Sequence, residues 1–365
     1  MDFSLSEDHL ALREAANKFL TSEVDLSVLL VHGRNVTDTD YEGLWKKMAE
    51  LGWSGIVVPE AYGGLGMDCI DLCMIIGEIG RTLAPSPMFG TLAGAWAIEK
   101  VADEATKQTL LSEVAAGSLK LSLAIADIDN VPGKGVKARK QGDHYLLSGE
   151  KHFVVDAEAA DKIIVSGEDG AYFVVDKDAQ GVSVALVEWR DITRQVGTII
   201  FKDAKAQLLG TDEKAWPWIR DRLYLVLAAE SAAGIETSLQ DAVTYAKERI
   251  AFGRPIGAFQ AIKHHLSELA GKSECATAAV QYAAWALSTD QADASRAAAM
   301  AHCYASEAYK ATTHRNIQVF GAIGFTWEMK NHLYYKRARA NSELLGSPRQ
   351  QREEVIASLE AERAA

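Results

Sequence analysis

Two stretches near the end of this 365-residue chain carry residue types suited to a phosphorylated, planar ligand. In Arg249-Ile250-Ala251-Phe252-Gly253-Arg254-Pro255-Ile256-Gly257-Ala258-Phe259-Gln260 a helical pattern ends, a Gly/Pro connection turns the chain and a new helix begins. Arg249 and Arg254 bring guanidinium groups to that corner, and their fork geometry suits phosphate oxygens. Phe252 offers a ring for stacking, and Gln260 offers both a donor and an acceptor. An ordinary helix hairpin with surface arginines produces the same pattern. The second stretch is Gln318-Val319-Phe320-Gly321-Ala322-Ile323-Gly324-Phe325-Thr326-Trp327-Glu328. Glycines at a helix end let a ligand approach the backbone amides closely. A strand–glycines–helix dinucleotide motif needs a strand first; here a helix precedes the glycines, so that reading fails. A helix simply terminated by glycine remains the alternative.

The four cysteines are Cys69, Cys73, Cys275 and Cys303. Cys69 and Cys73 stand about one helical turn apart, but no second pair at ligand spacing completes a metal site. Buried thiols acting as small apolar residues are expected, in a reducing, cytoplasmic compartment. Lys+Arg number 38 and Asp+Glu 50, a net charge of -12, which disfavours nucleic-acid binding. No apolar run reaches about 18 residues, so no membrane span is expected. The start, Met1-Asp2-Phe3-Ser4, lacks the basic and apolar regions of a secretory signal.

The elements that must position these groups change character twice. A helical unit is expected over residues 1–117, a β-unit over 118–212 and a helix bundle over 213–365. In the first, Ser4 and Glu7 form a capping-box pattern before an amphipathic run from Leu10 to Leu20. Tyr41 to Leu51 and Asp68 to Leu83 repeat that spacing, around a loop with a proline and three glycines, Pro59 to Gly66. In the second, short β-type runs at Leu121–Ala126, His144–Leu147, Lys162–Ser166, Ala171–Val175, Val182–Val187 and Gly197–Phe201 predict a small antiparallel barrel or sandwich. In the third, Pro217–Lys247, Ala258–Leu287, Ala292–Phe320 and Met329–Ala340 read as long, alanine-rich helices with short connections.

With that order of units, four segments resemble those of the acyl-CoA dehydrogenase family: Pro59 to Gly66, Gly149-Glu150-Lys151 to Ala160-Asp161, Arg249 to Gln260, and Gln318 to Gly324. The resemblance covers nearly the whole chain. It implies an α+β fold with an N-terminal helical domain, a middle β-barrel or sandwich domain and a C-terminal four-helix bundle. It further implies FAD, an acyl-CoA substrate, and a glutamate that removes the α-proton while hydride passes to the flavin. By motif, Arg249, Phe252, Gln260, Gln318, Gly321 and Ala322 would contact the ADP part of an FAD held mainly by a neighbouring subunit.

The chain departs from the family pattern where the base should stand. The family carries its glutamate at one of two positions, occupied here by Leu345 and Leu223. Neither leucine takes a proton. The nearby carboxylates are Asp221, Glu230 and Glu343, of which Glu230 and Glu343 are the weak candidates. Ala126-Asp127-Ile128-Asp129-Asn130 replaces a Thr-Glu-Pro and Gly-Ser-Asp run, and Val155 replaces a second hydroxyl. The ADP-contact segments are intact except for Ala322 in place of a glycine.

The pattern is similar to that of α2β2 heterotetrameric acyl-CoA dehydrogenases in which one subunit lacks the glutamate, including those of steroid degradation. The expectation is such a subunit, with a homologous catalytic partner and an electron-transfer flavoprotein as electron acceptor. The alternatives are a self-sufficient homotetramer using Glu343 or Glu230, and a flavin-free interaction protein on the same fold.

Overall fold

A computed structural model describes residues 5–126 and 135–364. Helix α1 (Glu7–Glu23) starts two residues later than a Ser4 cap implies: its cap is Ser6, whose hydroxyl accepts from the His9 amide at 3.1 Å while the Ser6 amide donates back to the His9 ring. The box is therefore Ser6/His9; Ser4 lies outside the described residues. Helices α2 (Tyr41–Glu50) and α3 (Cys69–Thr82) follow the predicted spacing, the latter capped by Asp68. Helix α4 (Met88–Val101) is buried on every face from Met88 to Ile98, so it carries no amphipathic signal. Helix α5 (Glu104–Ala115) closes this layer.

Seven strands follow: β1 (Leu121–Ala124), β2 (Val136–Gln141), β3 (His144–Val155), β4 (Lys162–Ser166), β5 (Ala171–Asp176), β6 (Val182–Leu186) and β7 (Val196–Thr211). Their order is β1-β4-β5-β7-β3-β2, with β6 also on β7. The 16-residue β7 pairs with β3 and β6 along its first part and with β5 along its last, so it carries the sheet around a corner. The His152 amide donates to Ala126 O at 2.9 Å, linking β3 back to the end of β1. The sheet is mixed rather than wholly antiparallel, because β1 runs parallel to β4. That pairing needs a crossover, which the chain makes through β2 and β3.

The C-terminal part contains α6 (Ala215–Glu248), α7 (Gln260–Ser288), α8 (Ala294–Phe320), α9 (Asn331–Asn341) and α10 (Pro348–Ala364). Helix α6 has 34 residues, a length of about 50 Å, and packs on α3, α7 and α8. Alanines 228, 229, 232 and 233 keep this contact close. Gly234 does the same for Tyr309: a Cβ there would lie 2.3 Å from the tyrosine ring. Among the described residues no helix is long and apolar enough to cross a membrane.

Cys69, Cys73 and Cys303 are buried, and burial raises the Cys69 thiol to about 11. Cys275 is exposed, contrary to the expectation of a buried thiol. It lies on the exposed part of α7, within reach of the Tyr304 hydroxyl of α8. Among the described residues no group of three potential metal ligands occurs.

Candidate active site

The start of α6, the buried α4, the ends of β1 and β3, and the connection from α9 into α10 meet around a pocket of about 230 Å³. Its walls are mostly apolar, with Phe89, Leu123 and Ile125 on one side and Leu223, Leu344 and Leu345 on the other. Leu223 and Leu345 therefore lie on one pocket although 122 positions of sequence do not suggest it. Leu345 sits at φ 62° and Gly346 at φ 104°. A left-handed leucine costs about 1 kcal/mol or more, and the Tyr224 hydroxyl helps hold it by donating to Leu345 O at 3.3 Å. Phe153, at φ 54° beside a register shift in β3, is a second strained residue on the wall.

One end of the pocket is polar. Arg220 pairs with Asp221 at 3.1 Å and with Glu354 at 3.4 Å, and its guanidinium lies 5.3 Å from the centre of the Tyr224 ring. The Tyr224 hydroxyl is also 3.3 Å from Glu354 Oε1. Burial raises the Glu354 carboxyl above its ordinary range, and Arg220 opposes that rise. Burial likewise raises Asp221, again opposed by Arg220. Among the described residues Glu354 is the carboxylate that lines this pocket, and sequence spacing offered no link between it and Leu223 or Leu345. Arg220 and Tyr224 were within reach of a helical reading, since they flank Leu223 on one turn of α6.

The two weak candidates stand elsewhere. Glu230 is 3% exposed and bound on both oxygens. Arg194 donates to Oε1 at 2.6 Å, Arg337 lies 3.4 Å from the same oxygen, and Asn341 donates to Oε2 at 3.1 Å. Arg337 is paired in turn with Asp191. Glu343 is exposed and accepts from the Ser342 hydroxyl at 3.2 Å; it does not line the pocket.

The two glycine-bearing stretches meet at the opposite end of α6. Arg249 caps that helix, a tight hairpin pairs Ile250–Ala251 with Arg254–Pro255, and Gln260 opens α7. Gln318 lies in the last turn of α8, which Gly321 terminates. Tyr245 and Phe320 stack 4.1 Å apart and clamp the two stretches together. Arg249, Phe252, Gln260, Gln318, Gly321 and Ala322 are all exposed, Phe252 at 94%. Space is open where a Gly321 Cβ would point, and φ 70° there disfavours any other residue. This face offers a guanidinium, an open ring, two amides and an uncovered backbone, which fit the ADP half of a flavin dinucleotide.

The flavin ring fits this chain's own pocket poorly. About 230 Å³ falls below the roughly 300–1,000 Å³ typical of ligand sites, and Val155 presents no hydroxyl. Residues 127–130 of the other eroded run lie outside the described residues; Ala126, its first member, lines the pocket.

Residues 6–118 match the acyl-CoA dehydrogenase N-terminal domain and residues 222–360 the acyl-CoA dehydrogenase C-terminal domain. A protein named acyl-CoA dehydrogenase IpdE2, from Mycobacterium tuberculosis, is 31% identical over 98% of this chain and 97% of its own length. The chain belongs to the acyl-CoA dehydrogenase family. Its members are FAD-dependent oxidoreductases acting on acyl-CoA. A solved structure described as a steroid ACAD variant, Tcur3481-Tcur3483, superposes with a TM-score of 0.88 at 29% identity, over 99% of this chain and 100% of that one. The ChsE4-ChsE5 complex from Mycobacterium tuberculosis superposes with a TM-score of 0.87 over 98% and 99% of the two chains; at 24% identity it supports the acyl-CoA dehydrogenase fold alone.

Proposed function

We propose that this chain is the subunit without a catalytic glutamate in a heteromeric FAD-dependent acyl-CoA dehydrogenase. The observation carrying this reading is that Leu223 and Leu345, the residues at the two family base positions, line one pocket where neither ionises. Glu230 is consumed by Arg194, Arg337 and Asn341, and Glu343 is exposed and does not line the pocket. The exposed face of Arg249, Phe252, Gln260, Gln318, Gly321 and Ala322 lies most of the length of α6 from that pocket, about 40 Å. An extended flavin dinucleotide does not reach across that distance, so the face serves a flavin seated in another subunit. FAD bound there supplies the hydride acceptor for α,β-dehydrogenation. This chain's Arg249 would neutralise pyrophosphate charge, Phe252 would cover an apolar ligand surface, and Gln318 would fix orientation. In that arrangement a carboxylate of the partner would take the α-proton, and an electron-transfer flavoprotein would be the electron acceptor.

The substrate class we assign is a bulky acyl-CoA, with a steroid-derived thioester as the leading choice. The 29% identical relative described as a steroid ACAD supports it. A cytoplasmic α2β2 assembly belongs to the same proposal. The test is the flavin-to-chain ratio. The chain purified alone is expected to hold little flavin, and co-expression with a homologous catalytic subunit to restore one flavin for each pair of subunits. One flavin per chain, with enoyl-CoA formed by this chain alone, refutes the proposal.

One observation favours a second reading, a self-sufficient homotetramer: Glu354 lines the pocket with a raised carboxyl pKa. Its pairing with Arg220 argues against a base, because the guanidinium stabilises the proton-free form that must accept the proton. Glu354→Gln separates the two readings: the assembled complex keeps its turnover under the first and loses it under the second.

A further inference from the structure

A second concavity, of about 570 Å³, lies between the 32–37 loop, the β6–β7 connection and the start of α9. Its size is within the range of small-molecule sites, and nothing in the proposed dehydrogenation uses it. Arg190, Lys336 and Arg339 line it, and among the described residues none of the three has a carboxylate at ion-pair distance. Of the other charged residues lining it, Asp191 is taken by Arg337, Arg194 by Glu230, Arg34 has an interaction of its own, and Glu188 is exposed. In a chain of net charge -12, unpaired cations gathered in a concavity focus positive potential there. Lys336 lies 4.5 Å over the Trp327 ring, and burial lowers its ammonium pKa, a penalty that a bound anion reverses. In the same wall, Trp189 Nε1 and Gln195 Oε1 are buried with no hydrogen-bond partner. Buried polar atoms are as a rule satisfied, so one donor and one acceptor await a ligand or the water it brings.

We propose that this concavity binds a nucleoside phosphate, its phosphate against Arg190, Lys336 and Arg339 and its base towards Trp189 and Gln195. That chemistry has two sources, the 3′-phosphorylated adenosine end of a CoA thioester and a free adenine nucleotide. The experiment is calorimetric titration of the flavin-loaded complex with adenosine 3′,5′-bisphosphate, 5′-AMP and inorganic phosphate. Both nucleotides are expected to bind about tenfold more tightly than phosphate. The double variant Arg190→Ala/Lys336→Gln, and independently Arg339→Ala, weaken nucleotide binding about tenfold, with flavin content and thermal transition unchanged. Tighter binding of the bisphosphate than of 5′-AMP assigns the site to the CoA end; equal binding assigns it to a free nucleotide. Four results overturn the proposal: phosphate binding as well as the nucleotides, undiminished binding by the variants, binding by the isolated chain that disappears in the complex, or variants that lose flavin.

Discussion

Glu230→Gln separates a structural carboxylate from a catalytic one. Glu230 and Asp191 balance Arg194 and Arg337 in a buried cluster, completed by Asn341. Each of the four charged side chains is under 9% exposed. Neutralising Glu230 leaves two guanidinium groups facing one carboxylate with no water to screen them. The glutamine also turns a donor towards either Asn341 Nδ2 or an arginine. Breaking such a buried pair costs about 3–5 kcal/mol, which lowers the thermal transition by roughly 5–15 °C. Calorimetry on the assembled complex checks this, with turnover measured well below the lowered transition. The expected result is a large loss of stability with turnover retained. An unchanged transition refutes the argument that the cluster holds α6, α9 and the β6–β7 connection together. An unchanged transition with turnover abolished makes Glu230 the base.

Arg249→Ala should lower the flavin content of the co-expressed complex without unfolding it, as read from the visible spectrum; unchanged flavin and activity favour a flavin-free interaction protein. Gly234→Ala should destabilise by about 1–3 kcal/mol, since overpacking against Tyr309 outweighs the gain in helix propensity; chemical denaturation measures it. His302 is fully buried, and burial lowers its pKa from 6.5 to about 4. Its contribution is complete above pH 6.5 and is lost as pH falls towards 4, about 3 kcal/mol in all. Asp156 acts in the opposite sense: burial raises it from 3.8 to about 6, so its contribution is present below pH 4 and lost as pH rises through 6. Denaturation between pH 7.5 and 4.5 should therefore show a flatter acid loss in His302→Gln than in the wild type.

The chain's composition and periodicity made the three-layer order and most helices legible; α2 and α7, for example, bury one stripe each, whereas α6 is buried all round from Leu223 to Ile235 and shows itself by its length and alanine content. What composition and periodicity hid follows from burial. Strand β2 shows one buried residue, Val136, followed by five exposed ones of which four are polar, so no alternation of burial marks it. Helix α4 is buried and largely apolar on every face, so it carries no stripe. The parallel β1–β4 pairing is a choice of topology that local propensity does not encode. At the site, the motif segments were readable because glycine and arginine mark them locally. Glu354 was not, since only the fold brings α10 against the start of α6.

The distance along α6 turns these separate features into one argument. The helix presents a pocket lined by Leu223 and Leu345 at its start and the exposed face of Arg249, Phe252 and Gln260 at its end, and it is too rigid to bring them together. Selection on a self-contained enzyme acts on both ends at once, because each pocket needs a neighbour's face of the same sequence. Under the proposed heteromer the two separate: this chain's face would still have to fit a partner's dinucleotide, while its own pocket would be free to fill with leucine. Restoring the base tests that separation. Leu345→Glu puts a carboxylate on a backbone already turned at φ 62° towards Tyr224. If the base were the only loss, the isolated variant would take up flavin and desaturate acyl-CoA. The expected result is no gain in either, because a pocket of about 230 Å³ lined by Val155 and Leu223 still lacks room and contacts for the ring.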